Sequence, residues 1–237
     1  MLSNIAAFLL PALALANPVP AAQSAAIDPS LITILDHSYS GNGCPQGSVS
    51  NSSSTDKTVI TFGFDQFQTY YGPGTQQKDW SKACQLHLNL KYPGGFQYAV
   101  VEATYHGWAR LDKGVTGTFL TTYFFSQNAA ATSTTRMTAQ GGGKLAEGEV
   151  YTKNDKVETT AVVWSPCGTN GLLNINNRIS LTSSNTSAYG ELSNDDATVA
   201  FTQQVHVAWQ PCTPSSGNGN GGIEIGWPKA VESELDI

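Results

Sequence analysis

Along most of its length the chain alternates apolar and polar residues with a period of two. Cys84, Leu86, Leu88 and Leu90 alternate with Gln85, His87, Asn89 and Lys91. Leu173, Ile175, Ile179 and Leu181 alternate with Asn174, Asn176, Arg178 and Ser180. Val199, Phe201, Val205, Val207 and Trp209 alternate with Ala200, Thr202, Gln204, His206 and Ala208. Such a pattern predicts strands with one face in a core and the other in water. Phe96 to Ala103 is apolar on both faces, as expected of a central strand covered on both sides. Further strands are expected over Lys57–Gly63, Phe64–Tyr71, Val115–Phe125, Thr134–Thr138, Glu149–Thr152 and Val157–Trp164. Gly72-Pro73-Gly74, Pro93-Gly94-Gly95, Gly141-Gly142-Gly143 and Gly168-Thr169-Asn170-Gly171 separate them, and the Gly141 run reads as a hairpin tip. No segment carries a helical stripe. The pattern predicts an all-β fold, a β-sandwich wound as a jelly roll or Greek key.

The ends read differently. Residues 1–16 combine a short apolar run with Ala14-Leu15-Ala16, a small-x-small cleavage pattern, and are expected to be a secretory signal peptide. Residues 17–30 are Ala- and Pro-rich, a flexible leader with little to bury. The packed domain is expected over 31–212. Residues 213–237 read as a Gly/Ser linker and an acidic disordered tail without the final apolar run of a lipid-anchor signal.

Composition narrows the partners. The net charge is −6, and the 12 basic residues are scattered singly. Nucleic acid and anionic membrane both need clustered positive charge, so neither is an expected partner. An unknown extracellular protein or a glycan remains, with no cofactor. Secretion makes Cys44, Cys84, Cys167 and Cys212 disulfide candidates. Four cysteines allow three connectivities, of which the nearest-in-chain pairing, Cys44–Cys84 with Cys167–Cys212, is favoured. Asn51 and Asn185 head two N-glycosylation sequons in Ser/Thr-rich stretches that read as exposed loops.

Five strings share one resemblance: GCPQGSV (43–49), FDQF (64–67), CQLHLNLKYPGGFQ (84–97), YHGWARLDKGVTGT (105–118) and WSPCGTNGLLNINNRISL (164–181), completed by WQPC (209–212). With their four cysteines they resemble the secreted family called domain of unknown function 4360. The resemblance implies secretion and no established activity, so it carries over no catalytic residue.

The chemistry-bearing residues are sparse. A glycosidase needs two carboxylates flanking a bond. Glu102, inside the apolar run YAVVEATY, is the candidate acid, with Asp112 or Asp65 as its partner; Glu147 and Glu149 complete the acids near strands. The four histidines, His37, His87, His106 and His206, show no metal-ligand spacing, though alternation lets His87 and His206 approach across strands. No G-x-S-x-G nucleophile elbow and no phosphate-binding loop is present. The aromatics Tyr70, Tyr71, Trp80, Tyr105 and Trp108 cluster in two stretches, 70–80 and 105–113, and are the candidate ligand-binding residues, because exposed rings stack on sugars or anchor a protein. Trp164 and Trp209 each stand three residues before a cysteine and read as structural. The leading expectation is a secreted, non-catalytic interaction or effector-like protein. A polysaccharide-directed protein, either a lectin-like binder or a weak hydrolase or lyase, comes second, and an inert surface-coat protein third.

Overall fold

The computed structural model describes residues 26–168, 170–193 and 201–212. The expected signal peptide, most of the leader, the linker with its tail, and Val199-Ala200 of the last predicted strand lie outside the described residues. Residues before Leu31 already join the fold: Asp28 accepts the Ser30 N–H at the start of a 3-10 turn, and Ile27 packs against the core.

Among the described residues twelve strands form two antiparallel sheets. They are β1 (Thr33–Ser40), β2 (Val49–Ser53), β3 (Val59–Phe64), β4 (Thr69–Tyr71), β5 (Ser81–Lys91), β6 (Phe96–Leu111), β7 (Val115–Phe125), β8 (Ser133–Gln140), β9 (Glu149–Lys156), β10 (Asn170–Ser183), β11 (Gly190–Ser193) and β12 (Phe201–Pro211). Sheet A runs β1-β5-β10-β7-β8. Sheet B runs β2-β3-β12-β6-β11-β4, with β9 also on β6. Ala109 pairs with Leu192 and Glu149, and His106 with Thr202 and Thr152. Hence β11 and β12 share one edge of β6 and β9 takes the other. β10 is inserted between β5 and β7, and β12 between β3 and β6, the long-range winding expected of the fold.

The alternation places Leu86, Leu88, Leu90, Leu173, Ile175, Ile179, Leu181, Phe119 and Phe125 of sheet A against Ile60, Phe62, Phe64, Tyr98, Leu111, Phe201 and Val205 of sheet B, all buried. Disulfides Cys44–Cys84 and Cys167–Cys212 close spans of 40 and 45 residues, each constraining the unfolded chain by about 4 kcal/mol in the loop-entropy picture. Trp209 packs on Tyr98 and Tyr92 at 4.9 and 5.6 Å and donates its indole N–H to Lys57 O, filling the end of the sandwich beside the second disulfide.

Three sequence expectations change. Val157–Trp164 is not a strand: the chain leaves the sheet at Val157, makes a 3-10 turn over Thr159–Ala161 and returns as a single bridge, Trp164 to Ala99. Its apolar residues Val162, Val163 and Trp164 are consecutive and never alternate. The Gly141 run is no hairpin tip, because β8 and β9 belong to different sheets. It is a crossing in which a Cβ on Gly141 would meet Asp112 O at 2.2 Å. The Phe64–Tyr71 strand breaks at 65–68, where Phe67 turns inward onto Phe64 and Phe201 at 5.3 and 5.7 Å.

The two-sided apolar run at the start of β6 has two causes. Ala99 is covered by the Trp164 bridge. Beyond it Val207 faces Val100 while His206 faces Glu102, so Val101 is the extra residue of a β-bulge. The bulge shifts the parity. Tyr98 and Val100 point inward before it, and Ala103, Tyr105, Ala109 and Leu111 after it.

Six buried polar side chains close a ring at the centre. Asn177 Nδ2 donates to Gln203 Oε1 (2.8 Å), and Gln203 Nε2 to the Tyr123 hydroxyl (3.4 Å). Thr121 donates to Asn177 Oδ1 (2.8 Å). That leaves one sense for the rest: Tyr123 to Thr135 (3.3 Å), Thr135 to Tyr105 (3.1 Å) and Tyr105 to Thr121 (2.6 Å). Every hydroxyl donates once and accepts once. Burial holds the Tyr105 phenol above its ordinary pKa, and that of Tyr123 well above it, so both stay neutral donors.

Asp155 lies on the inward side of β9, opposite Ala103. Its carboxylate accepts the Arg136 backbone N–H, but Oδ2 is buried without a partner, and burial raises its pKa. Between the unfolded and folded pKa values the native state therefore binds more protons, and its stability falls as pH rises through the folded value. Asp155→Asn is expected to raise the melting temperature at neutral pH, with the advantage vanishing in acid below about 3.9, the ordinary aspartate pKa. An unchanged neutral-pH Tm would contradict this. Asn177→Ala strands the Thr121 donor and the Gln203 acceptor and is expected to cost about 3 kcal/mol in urea unfolding; a loss under about 1 kcal/mol would show that the ring is not cooperative.

Candidate functional site

The outer face of sheet B is a grid, because residues paired in register point to the same side of a sheet. Across β3, β12, β6 and β9 its rows read Val59–His206–Glu102–Lys156, Thr61–Gln204–Thr104–Asn154 and Gly63–Thr202–His106–Thr152. Ser52 and Ser50 of β2 extend the last two. Past the β12–β11 interruption the rows continue as Trp108–Val150 and, on β4, β11 and β6, Tyr70–Glu191–Arg110. Short contacts tie the grid together: Thr104 Oγ1 donates to Asn154 Oδ1 (2.8 Å) and lies 3.1 Å from His206 Nε2, and His106 Nδ1 lies 2.8 Å from Thr152 Oγ1. The face carries Glu102 and Glu191 against Lys156 and Arg110, so its fixed charges balance.

One end of the grid is aromatic. The Arg110 guanidinium stands 5.4 Å over the Tyr189 ring. Tyr189 donates its hydroxyl to Glu191 (2.7 Å), and its backbone N–H goes to Asp112 Oδ2 (2.8 Å). Burial, then the Glu191 hydrogen bond and charge, push the Tyr189 phenol up to about 12, which keeps it a donor. Tyr70 joins this group and donates to Gln68 Oε1 (2.7 Å). The Trp108 indole rests against Gly148, at the end of the short helix α1 (Lys144–Glu147): a Cβ on Gly148 would lie 2.5 Å from Cζ2, and φ there is +95°.

The five aromatics singled out from the sequence separate. Tyr70 and Trp108 are half-buried on the outer face of sheet B, at the same end. Tyr105 is no ligand residue: it is 2% exposed and belongs to the central ring. Tyr71 is likewise core, with its hydroxyl on Ser183 O, because strand parity turns it opposite to Tyr70. Trp80 packs on Tyr71 at 5.1 Å and donates to Thr75 Oγ1, clamping the 72–80 loop.

The acids also separate. Glu102 is half-buried on the outer face, and Asp112 closes the corner after β6, about 30 Å away along the strand at ~3.3 Å per residue. Asp65, past the end of β3 with its N–H on Ser48 O, is about 20 Å from Glu102 by the same measure. Paired glycosidase carboxylates stand no more than about 10 Å apart. Glu147 and Glu149 flank Gly148, and Glu149 pairs with Lys144 at 3.9 Å. His87 and His206 do not approach each other: His87 contacts Asn174 on the outer face of sheet A, and His206 lies on the outer face of sheet B. His37 is exposed on the edge strand β1. Among the described residues no three of His, Cys, Asp and Glu are grouped as metal ligands. No described helix is long and apolar enough to cross a membrane. Asn185 is exposed and accepts the Ser187 N–H (3.0 Å) in a turn, but Asn51 lies within strand β2 rather than in a loop.

Tyr189, Glu191 and Arg110 were missed. Tyr189 immediately precedes β11, Glu191 lies on it and Arg110 lies near the end of β6, and the four residues of β11 are too few to show alternation. The cue in the sequence was the pairing of aromatic and acid in Tyr189-Gly190-Glu191.

Residues 30–212 match the family described as domain of unknown function (DUF4360), and the chain belongs to it. An "Uncharacterized secreted protein" of Arthroderma benhamiae is 45% identical over 186 residues, covering 78% of this chain and 74% of that one. With two disulfides and this secreted relative, the protein is extracellular. Among solved structures, TmCBM61 in complex with beta-1,4-galactotriose is similar at 14% identity, covering 72% of this chain and 88% of that one with a TM-score of 0.23. A family 11 carbohydrate-binding module from Clostridium thermocellum is similar at 7% identity over 76% and 90%, with a TM-score of 0.22. At TM-scores this low neither likeness carries an argument about ligand.

Gly148→Ala is expected to dislodge the Trp108 indole. Tryptophan fluorescence should become more quenchable by acrylamide, and the increase should be absent in a Trp108→Phe background. The same increase in both backgrounds would assign it elsewhere.

Proposed function

We propose that this protein is an extracellular, non-catalytic glycan-binding protein that lays a neutral polysaccharide across the outer face of sheet B. The observation that carries this reading is the aromatic end of the grid, with Trp108, Tyr70 and Tyr189 beside rows of hydroxyl, amide and imidazole groups on paired strands. A sugar ring has an apolar face and a rim of hydroxyls, and it needs both kinds of contact at once. Strand-mounted side chains are already ordered, so little entropy is lost on binding. The balanced charge of the face suits an uncharged chain. The distances from Glu102 to Asp112 and Asp65 weigh against the hydrolase reading, and the built grid weighs against an inert coat.

The test is depletion from solution by insoluble wall polysaccharides, with release of new sugar ends read in parallel. Depletion without release is expected. Trp108→Ala should weaken binding by at least about tenfold while the circular dichroism stays native. Release of sugar ends would overturn the non-catalytic assignment. Binding that survives Trp108→Ala would move the site off this face. Depletion by no polysaccharide would return the protein-partner reading to first place.

A further inference from the structure

The outer face of sheet A differs in charge. Arg178 on β10 and Arg136 on β8 both pair with Leu120 of β7, so they stand in one transverse row, two strand spacings or about 10 Å apart at their backbones. The row above reads Gln85–Asn176–Thr122–Thr134, and the row below Ser81–Ser180–Thr118–Thr138. Neither holds a carboxylate. Asp155 stands nearer, its carboxylate accepting the Arg136 backbone N–H, but from the inward side of β9; the first acid on the outer face itself, Asp36, is paired with Asn89 three rows away, about 20 Å along the strands. That is beyond the ~8 Å over which physiological salt leaves exposed charges in contact. Both arginines are exposed, and among the described residues neither is in an ion pair. Arg178 Nε donates to Ser81 Oγ (3.3 Å), which fixes one side of its guanidinium. Beside Arg178, on the side away from Arg136, a depression of about 350 Å³ is lined by Ala83, Gln85, Leu120, Thr122, Asn176 and Arg178.

We propose that this face is a second ligand surface, which takes an acidic polysaccharide with uronate carboxylates seated against Arg136 and Arg178. Planar guanidinium groups match carboxylates in a bidentate fork, and the neighbouring amides and hydroxyls match sugar hydroxyls. The chain as a whole carries −6, so an anion is drawn to this row by local charge and not by the net field. Nucleic acid is a poorer fit: it needs many cations and stacking rings, and no aromatic stands in the arginine row or in the rows on either side.

The probe is polygalacturonate, compared with its fully methyl-esterified form, using the whole secreted protein in a Trp108→Ala background so that the sheet B face is silenced. Retention of the protein by immobilised polygalacturonate at low salt is expected, with none by the ester. R136Q/R178Q should weaken retention by at least about tenfold. Both side chains point into solvent, so the double variant keeps its fold, checked by an unchanged Tm. No retention of the parent protein, equal retention of R136Q/R178Q, or equal retention by the esterified polymer would each overturn the proposal. None of these outcomes bears on the sheet B reading, which is tested with neutral polymers.

Discussion

The two sheets are aligned by a closed ring of neutral hydrogen bonds buried in the core. An apolar core tolerates sliding between its layers, because hydrophobic burial is not directional. Tyr105 and Gln203 of sheet B must instead meet Thr121, Tyr123, Thr135 and Asn177 of sheet A, and a displacement of either sheet leaves buried donors unpaired. The position of every outward residue follows. Tyr105 and Gln203 alternate with Thr104, His106, Thr202 and Gln204, so fixing the inner face also fixes the grid on the outer one.

The architecture was largely legible in the sequence and the site only in part. Period-two alternation located β5, β7, β10 and β12, since one face of each is uniformly apolar. It failed at β1, whose burial does not alternate cleanly, and at β11, which is four residues long, and it ran β4 together with the turn before it. Of the aromatics, Tyr70 and Tyr71 are adjacent and chemically alike, and only the register of β4 against β11 decides which is core. Nothing local in the sequence marks Tyr105 as core, because its hydrogen-bond partners are 16 and 30 residues away. Glu102 drew attention as a buried acid. A single extra residue, Val101, turns it outward, and bulges leave no mark in composition.

Charge is partitioned between the two outer faces. Sheet B balances two acids with two bases, whereas the middle of sheet A holds two arginines and no acid. Several acids sit at corners and turns, where they accept backbone N–H groups: Asp28 caps a turn, Asp56 closes the β2–β3 connection, Asp79 accepts Gln76 N–H, and Asp112 holds Tyr189. Their negative charge therefore does structural work at the ends of the strands, which leaves the broad faces free for polar recognition.

The insertion of β10 and β12 has a consequence for how the chain reaches this state. Both are central strands, yet both come late in the sequence. Until β12 arrives, β3 and β6 have no common neighbour, and Gln203 is missing from the ring. The earlier strands thus cannot assemble natively by themselves, and a chain emerging through a translocation channel must wait for nearly its last described residue before the core can close. Contacts of such sequence range make folding slow compared with that of helical domains of similar size. The bridge from Cys167 to Cys212 closes equally late, since its second half is the last described residue of the chain.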